Sequence, residues 1–175
     1  MTEARAPVVD DDLDPLWSKE DAHAEAAARG AKCAECPLYG QKRGPVMGEI
    51  APGAKLLIVG EAPGVNEVVT GRPFVGRSGE KLEQALLRGG LHRPVRRPST
   101  EVSVTNTILC QPPEDFEDYE ARLAHEGKAS PTKCCAARLA RDISEHLAPY
   151  REGPTTATIS PVGDQALHAV CAHLD

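Results

Sequence analysis

A chain of 175 residues, 41% hydrophobic and 26% charged, is long enough for one domain with a buried core and too short for two ordinary ones. No apolar run approaches the length of a membrane span, and Met1–Asp14 lacks the apolar stretch of a secretory leader, so a cytoplasmic protein in a reducing compartment is expected. Its 6 cysteines then read as metal ligands or bystanders rather than as a disulfide framework. The net charge of −6 argues weakly against a polyanionic partner, yet all of it falls within residues 1–25, where eight acids face two bases. Residues 71–97 instead carry seven bases (Arg72, Arg77, Lys81, Arg88, Arg93, Arg96, Arg97) against Glu80 and Glu83. That local excess suits phosphate, or equally a solvated helix face.

Taken in chain order, residues 1–14 read as a disordered acidic tail and residues 15–175 as one domain. Trp17–Arg29 is rich in Ala and Glu and predicts a first helix stopped by Gly30. Cys33–Gly53 is a loop region punctuated by Pro and Gly. Lys55–Gly60 is a fully apolar strand, followed by a long Gly/Pro-rich connection over Glu61–Gly79. Ser78 is the expected N-cap of a helix over Glu80–Arg88, closed by Gly89 and Gly90. Glu101–Asn106 alternates as a strand does and turns at Cys110–Pro113. Phe116–Glu126 and Lys133–His146 have helical periodicity, Thr155–Ser160 is a short strand, and Gln165–His173 begins another helix. Strands alternating with helices predict an α/β fold, a three-layer α/β/α sandwich around a mostly parallel sheet. In such sheets ligands bind beyond the carboxyl ends of the strands. The two most polar strand exits, Gly60–Gly64 and Thr105-Asn106, are therefore the place to seek a pocket.

Cys33-Ala-Glu-Cys36, Gly60-Glu-Ala-Pro-Gly64, the run Gly71–Gly79, and Val104-Thr-Asn106 with Cys110-Gln-Pro-Pro113 occur in this order. Together they resemble the iron–sulfur uracil-DNA glycosylases, family 4 of their superfamily, from about Cys33 onward. The most specific stretch is Gly60–Gly79. The resemblance implies a monomeric repair hydrolase without membrane contact that flips uracil out of DNA and cleaves its N-glycosidic bond.

Such chemistry needs a stacking platform, a reader of the base edge and stabilisation of the departing anion. Phe74 is the candidate platform, with a core plug as its plain alternative. Asn106 can donate its amide to uracil O4 and accept from N3–H, a polarity that cytosine reverses at both positions. Gly60 and Ala62 let the backbone approach the base. In related branches an Asp or Asn stands at the place of Ala62 and handles the attacking water, which alanine cannot do. Glu67 is then the nearby acid that could orient water or crowd the uracil C5 position, and Glu61 is the second acidic candidate, contributing chiefly its backbone. Arg72, Arg77, Ser78 and Lys81 are candidate DNA contacts. By resemblance, Cys33, Cys36, Cys110 and Cys135 would hold a [4Fe–4S] cluster, Cys135 being preferred to Cys134 because Cys135-Ala-Ala-Arg-Leu139 matches the family spacing. Spacing alone equally allows structural zinc. Cys171 falls outside the set and is expected in the core.

Three departures stand out. The turn after Cys110 lacks the family's basic residues, the segment between Cys110 and Cys135 is long, and none of the 6 histidines precedes a proline although the family ends in a His-Pro motif. The chain is thus either a fragment or a divergent member, and a non-catalytic DNA-binding module of the same fold is the alternative. A branch that traps uracil covalently through a histidine on such an insertion makes His125 a further candidate, against the plain reading of a surface helix histidine.

Overall fold

The computed structural model describes residues 19–41, 43–152 and 156–173, with the side chains of 19–21 left aside. The expected acidic tail at 1–14 lies outside the described residues. The helices are α1 (Lys19–Ala28), α2 (Val65–Thr70), α3 (Arg77–Arg88), α4 (Phe116–His125), α5 (Pro131–Leu147) and α6 (Asp164–Cys171), with short 3₁₀ turns at Cys33–Glu35 and Ala148–Tyr150. The strands β1 (Leu56–Gly60), β2 (Val102–Asn106) and β3 (Thr158–Pro161) form a wholly parallel sheet in the order β2-β1-β3.

Parallel strands need cover on both faces, because their crossovers bring helices to both. The sequence supplies it by alternation along β1. Leu57 and Val59 point to one side and pack with Leu139 and Ile143 of α5 and Ala166, Ala169 and Val170 of α6. Ile58 points to the other, where Val102, Val104, Leu86 of α3 and Phe74 complete a second cluster. A third cluster, around Ala26, Leu38, Ile108, Leu109, Phe116, Tyr119 and Leu123, lies beyond the sheet and receives the cysteine segments. The expected α/β/α sandwich is the one observed. The free side of β2 is covered by a single antiparallel bridge from Glu49 to Val104, which blunts an otherwise open edge.

Two local expectations need correction. The connection after β1 contains a helix, α2, which its β-branched composition (Val65, Val68, Val69, Thr70) conceals. Helix α3 begins one turn earlier than expected, with Gly76 rather than Ser78 at the N-cap, and Ser78 is exposed. Both follow from one side chain. Glu67 Oε2 accepts from the N–H of Gly64 at 3.1 Å, holding the start of α2, while Oε1 accepts from Val75 and Gly76 at 3.0 and 2.8 Å, holding the turn into α3. No local propensity reveals such a long-range brace.

Candidate base pocket and cysteine cavity

The register of the sheet sets Gly60 directly opposite Asn106, and Thr107 N–H donates to the Gly60 carbonyl at 2.7 Å. The two strand exits therefore open side by side, into a cavity of about 590 Å³. Gly60–Gly64, Glu67, Phe74, Gly76, Arg77, Ser78 and Asn106 line it, together with Val162 at the end of β3 and the turn from Gln111 to Phe116. A cavity of this size suits a small aromatic ligand with a few placed polar groups.

Small residues make the close contacts possible. A Cβ on Gly60 would overlap Asn106 Oδ1 and lie 2.6 Å from Phe74 Cζ, so the ring and the amide converge on a spot that only glycine leaves open. Phe74 itself has a left-handed backbone (φ 54°), which turns its ring from the loop onto the pocket and the cluster beneath. It is 9% exposed, so it is pocket wall and core filler together. Its strained backbone is held by Arg93, fully buried, whose Nη1 donates to the Phe74 carbonyl at 2.9 Å and Nη2 to that of Pro73 at 2.6 Å. Burial pushes the Arg93 pKa down while nearby Glu49 opposes that shift. Asn106 is 4% exposed, and among the described residues none hydrogen-bonds to its side-chain amide. It thus faces the pocket with donor and acceptor uncommitted.

The two acids differ in what they can offer. Three of the roughly four acceptor sites of the Glu67 carboxylate are occupied by backbone N–H groups. It braces both loops while still lining the cavity. Glu61 lines the pocket half-buried; its backbone carbonyl accepts from Ile108 N–H at 3.1 Å, while its carboxylate has no hydrogen-bond partner among the described residues. Burial pushes its pKa up, and the nearby carboxylates of Asp115 and Glu117 add to the shift.

The basic stretch is narrower than its composition. Arg93 is interior, and Arg72 is bound through Nε to Glu49 at 2.7 Å and through Nη1 to the Val95 carbonyl. Exposed cations remain at Arg77, Lys81, Arg88, Arg96 and Arg97, with Arg77 and Ser78 at the pocket mouth on the first turn of α3. Across the mouth stand Glu114 and Asp115, the latter capping α4 by accepting from Glu117 N–H at 3.0 Å. His125 is exposed at the far end of α4 and does not line the pocket. Phe116 at the near end does, and nine helical residues amount to about 13 Å. His125 therefore stands apart from the pocket lining, as a surface helix histidine does.

Five thiols, Cys33, Cys36, Cys110, Cys134 and Cys135, line one small, almost wholly apolar cavity with Ala26, Ala31 and Leu109. They come from the first 3₁₀ turn, the turn after β2 and helix α5. Among the described residues, no three His, Cys, Asp or Glu side chains gather at the spacing of a single metal ion. Burial pushes every thiol resolved there upward, Cys36 to about 12. Neighbouring thiols add to this at Cys33, Cys36 and Cys110. Cys171 is exposed, contrary to the expectation of a core thiol, because it ends α6 on the side away from Ala166 and Val170.

At the paired exits of a parallel sheet, an α/β/α fold sets an uncommitted amide against an aromatic ring. Comparison places it more narrowly. The sequence profile of the uracil DNA glycosylase superfamily matches residues 47–173, so the chain belongs to that superfamily. It is similar to the type-4 uracil-DNA glycosylases of Pyrobaculum aerophilum, at 41% identity over 97 residues covering 53% of this chain and 46% of the relative, and of Thermotoga maritima, at 34% over 100 residues covering 57% and 49%. That of Saccharolobus solfataricus is 32% identical over 120 residues, covering 68% of this chain and 48% of the relative. The chain spans about half the length of the curated relatives it matches.

The sequence reading missed three groups: the buried clamps Arg93 and Arg138, the pocket wall from Gln111 to Phe116, and Val162. Gln111–Pro113 and Arg138 stood in quoted motifs without a role assigned to them, and Asp115 left a signal as an acid immediately before an amphipathic helix.

Proposed function

We propose that the pocket receives a uracil base flipped out of DNA and that the protein hydrolyses its N-glycosidic bond, leaving an abasic site. The observation that carries this is the convergence of Phe74, Asn106 and Gly60 at paired strand exits. Phe74 stacks on the base. Asn106 donates to O4 and accepts from N3–H, so cytosine meets two mismatched polar groups. The backbone of Gly60–Gly64 lies against the base carbonyl, where Ala62 keeps the approach open. Glu61 is the acid free to orient water, while Glu67 keeps both loops in register. Arg77 and Ser78, with Lys81 on the next turn, meet the DNA backbone. Arg72 supports that surface from within, paired to Glu49.

Cys33, Cys36, Cys110 and Cys135 would hold a [4Fe–4S] cluster. Thiols from three segments around one cavity suit it, and the family resemblance favours it over structural zinc. When bound, the cluster supplies a staple that ties these segments together. The protein acts as a monomer in the cytoplasm, and among the described residues no helix is long and apolar enough to cross a membrane.

One observation favours a second reading, a DNA-binding module without catalysis: no histidine lines the described pocket. Absence of one anion-stabilising donor typically costs ~10²–10³ in rate. A denaturing gel of end-labelled, uracil-containing single-stranded DNA, with and without alkali, decides between them. Alkali-dependent cleavage establishes the glycosylase. An intact oligonucleotide retained by the protein in a binding assay establishes the module, and no binding refutes both. In an active protein, Asn106→Asp should erode rejection of cytosine; unchanged selectivity removes Asn106 as the reader.

A further inference from the structure

Arg138 is fully buried on α5, and its guanidinium spreads over the exit of β2. Nη2 donates to the carbonyls of Asn106 and Thr107, both at 2.7 Å. Nη1 donates to Asp142 Oδ2 at 2.8 Å and to Thr105 Oγ1 at 3.0 Å. The Thr105 hydroxyl in turn donates to Asp142 Oδ2 at 2.8 Å, and Asp142 Oδ1 accepts from Arg29 Nη2 at 2.6 Å. One side chain thus grips Thr105, Asn106 and Thr107, with its own position set by a carboxylate that two arginines share.

This is more than satisfaction of a buried charge. Strand β2 ends at Asn106, so the carbonyls of Asn106 and Thr107 lie where the sheet ladder runs out. A planar fork can hold two adjacent carbonyls and a carboxylate at once; a lysine ammonium lacks that fixed geometry. The arrangement also leaves Arg138 Nε buried with no partner, a cost that simple packing would not retain. Arg138 follows Cys135 by three residues and so shares its helix face. Its positive charge favours the thiolates of Cys33 and Cys110 against their burial. The residue stands between the cysteine cavity and the pocket.

We propose that Arg138 is a positioning residue: it sets the Asn106 amide in the pocket through the backbone carbonyls of Asn106 and Thr107, and so ties the base-reading strand exit to the helix that carries Cys135. The activity readout of this proposal rests on the uracil reading given above. Single-turnover excision from a uracil oligonucleotide is measured for wild type, Arg138→Lys, Asn106→Ala and the double variant, with iron content and thermal midpoint followed in parallel. Arg138→Lys is expected to slow excision ~10-fold or more while the half-saturating DNA concentration stays within about twofold, because misplacement costs rate more than binding. In the Asn106→Ala background the same change should alter the residual rate by less than about twofold.

The same loss in both backgrounds overturns the proposal, since the arginine would then act independently of Asn106. If Arg138→Lys loses iron or unfolds, Asp142→Asn takes its place in the cycle: it keeps the guanidinium and loosens its seat. A loss of roughly threefold with the same non-additivity is expected, and additivity overturns the proposal. If wild-type protein releases no uracil, the proposed function fails and the positioning role is judged by the side-chain ¹⁵N–¹H resonances of Asn106. A shift of these in the Arg138 or Asp142 variant supports the role, and unmoved resonances overturn it.

Discussion

The base pocket is shaped by buried ionic side chains acting on backbone groups: Glu67 on the N–H groups of Gly64, Val75 and Gly76, Arg93 on the carbonyls of Pro73 and Phe74, and Arg138 on those of Asn106 and Thr107. The cysteine cavity, reached through the same turn after β2, is walled instead by apolar packing, and burial pushes Cys33, Cys36, Cys110 and Cys134 towards neutrality. In the first, the clamps hold the loop and strand backbone in place and leave the Asn106 amide uncommitted, at the cost of unpartnered Nε atoms on Arg93 and Arg138. The second gathers five thiols from three segments, and burial favours their neutral form at Cys36 and Cys110. Fixed charge shapes the one and apolar packing the other, and on the proposed reading only the second depends on a bound metal, so they should fail differently.

The largest contrast is expected at the cavity. Cys135→Ser should lose essentially all bound iron, whereas Cys134→Ser should keep most of it, measured as iron and acid-labile sulfide per protein. The reverse order would move the fourth ligand to Cys134. At the pocket, Glu67→Ala leaves three N–H groups without their carboxylate and should cost about 3 kcal/mol, read from urea unfolding. A loss below about 1 kcal/mol would show that water replaces the brace. Gly79→Ala tests the same wall sterically, since its Cβ would run into the Phe74 carbonyl, which is backbone and cannot swing away. A cost of about 1–3 kcal/mol is expected, with iron content untouched.

The smallest effect lies outside both sites. His146 is 2% exposed, and burial lowers its pKa. The folded state therefore binds this proton less readily than the unfolded one. Its contribution is fully present above the ordinary imidazole pKa of about 6.5 and is lost as the pH falls below it, by at most about 1.4 kcal/mol per unit. Urea midpoints at neutral and mildly acid pH should separate more in wild type than in His146→Phe. Equal separations would assign the acid sensitivity to other groups.

The legible part of the fold was the part governed by pattern. The apolar run before Gly60, the alternation before Asn106 and the amphipathic periods of α4 and α5 each state their element locally, because burial of a face imposes a period. The Gly60 and Asn106 exits were legible as polar strand ends, but their pairing rests on the observed strand order and register. Helix α2 and the start of α3 were not legible, since a carboxylate nine residues from Gly76 holds that turn. Nor was the difference between Glu61 and Glu67: both are acids on one loop, and only their hydrogen bonds tell the brace from the free group.

The sequence by itself determined the layered α/β architecture, the strand exits that carry the pocket and the family to which the chain belongs, since these depend on residue period and on motifs read in order. Tertiary structure alone decided which charges are exposed. It buried Arg93 and Arg138 as clamps, drew Arg72 to Glu49, left Cys171 at the surface and carried His125 a helix length from the pocket. The physical reason is that a charge is defined by its partners and its access to water, and both are supplied by residues distant in the chain.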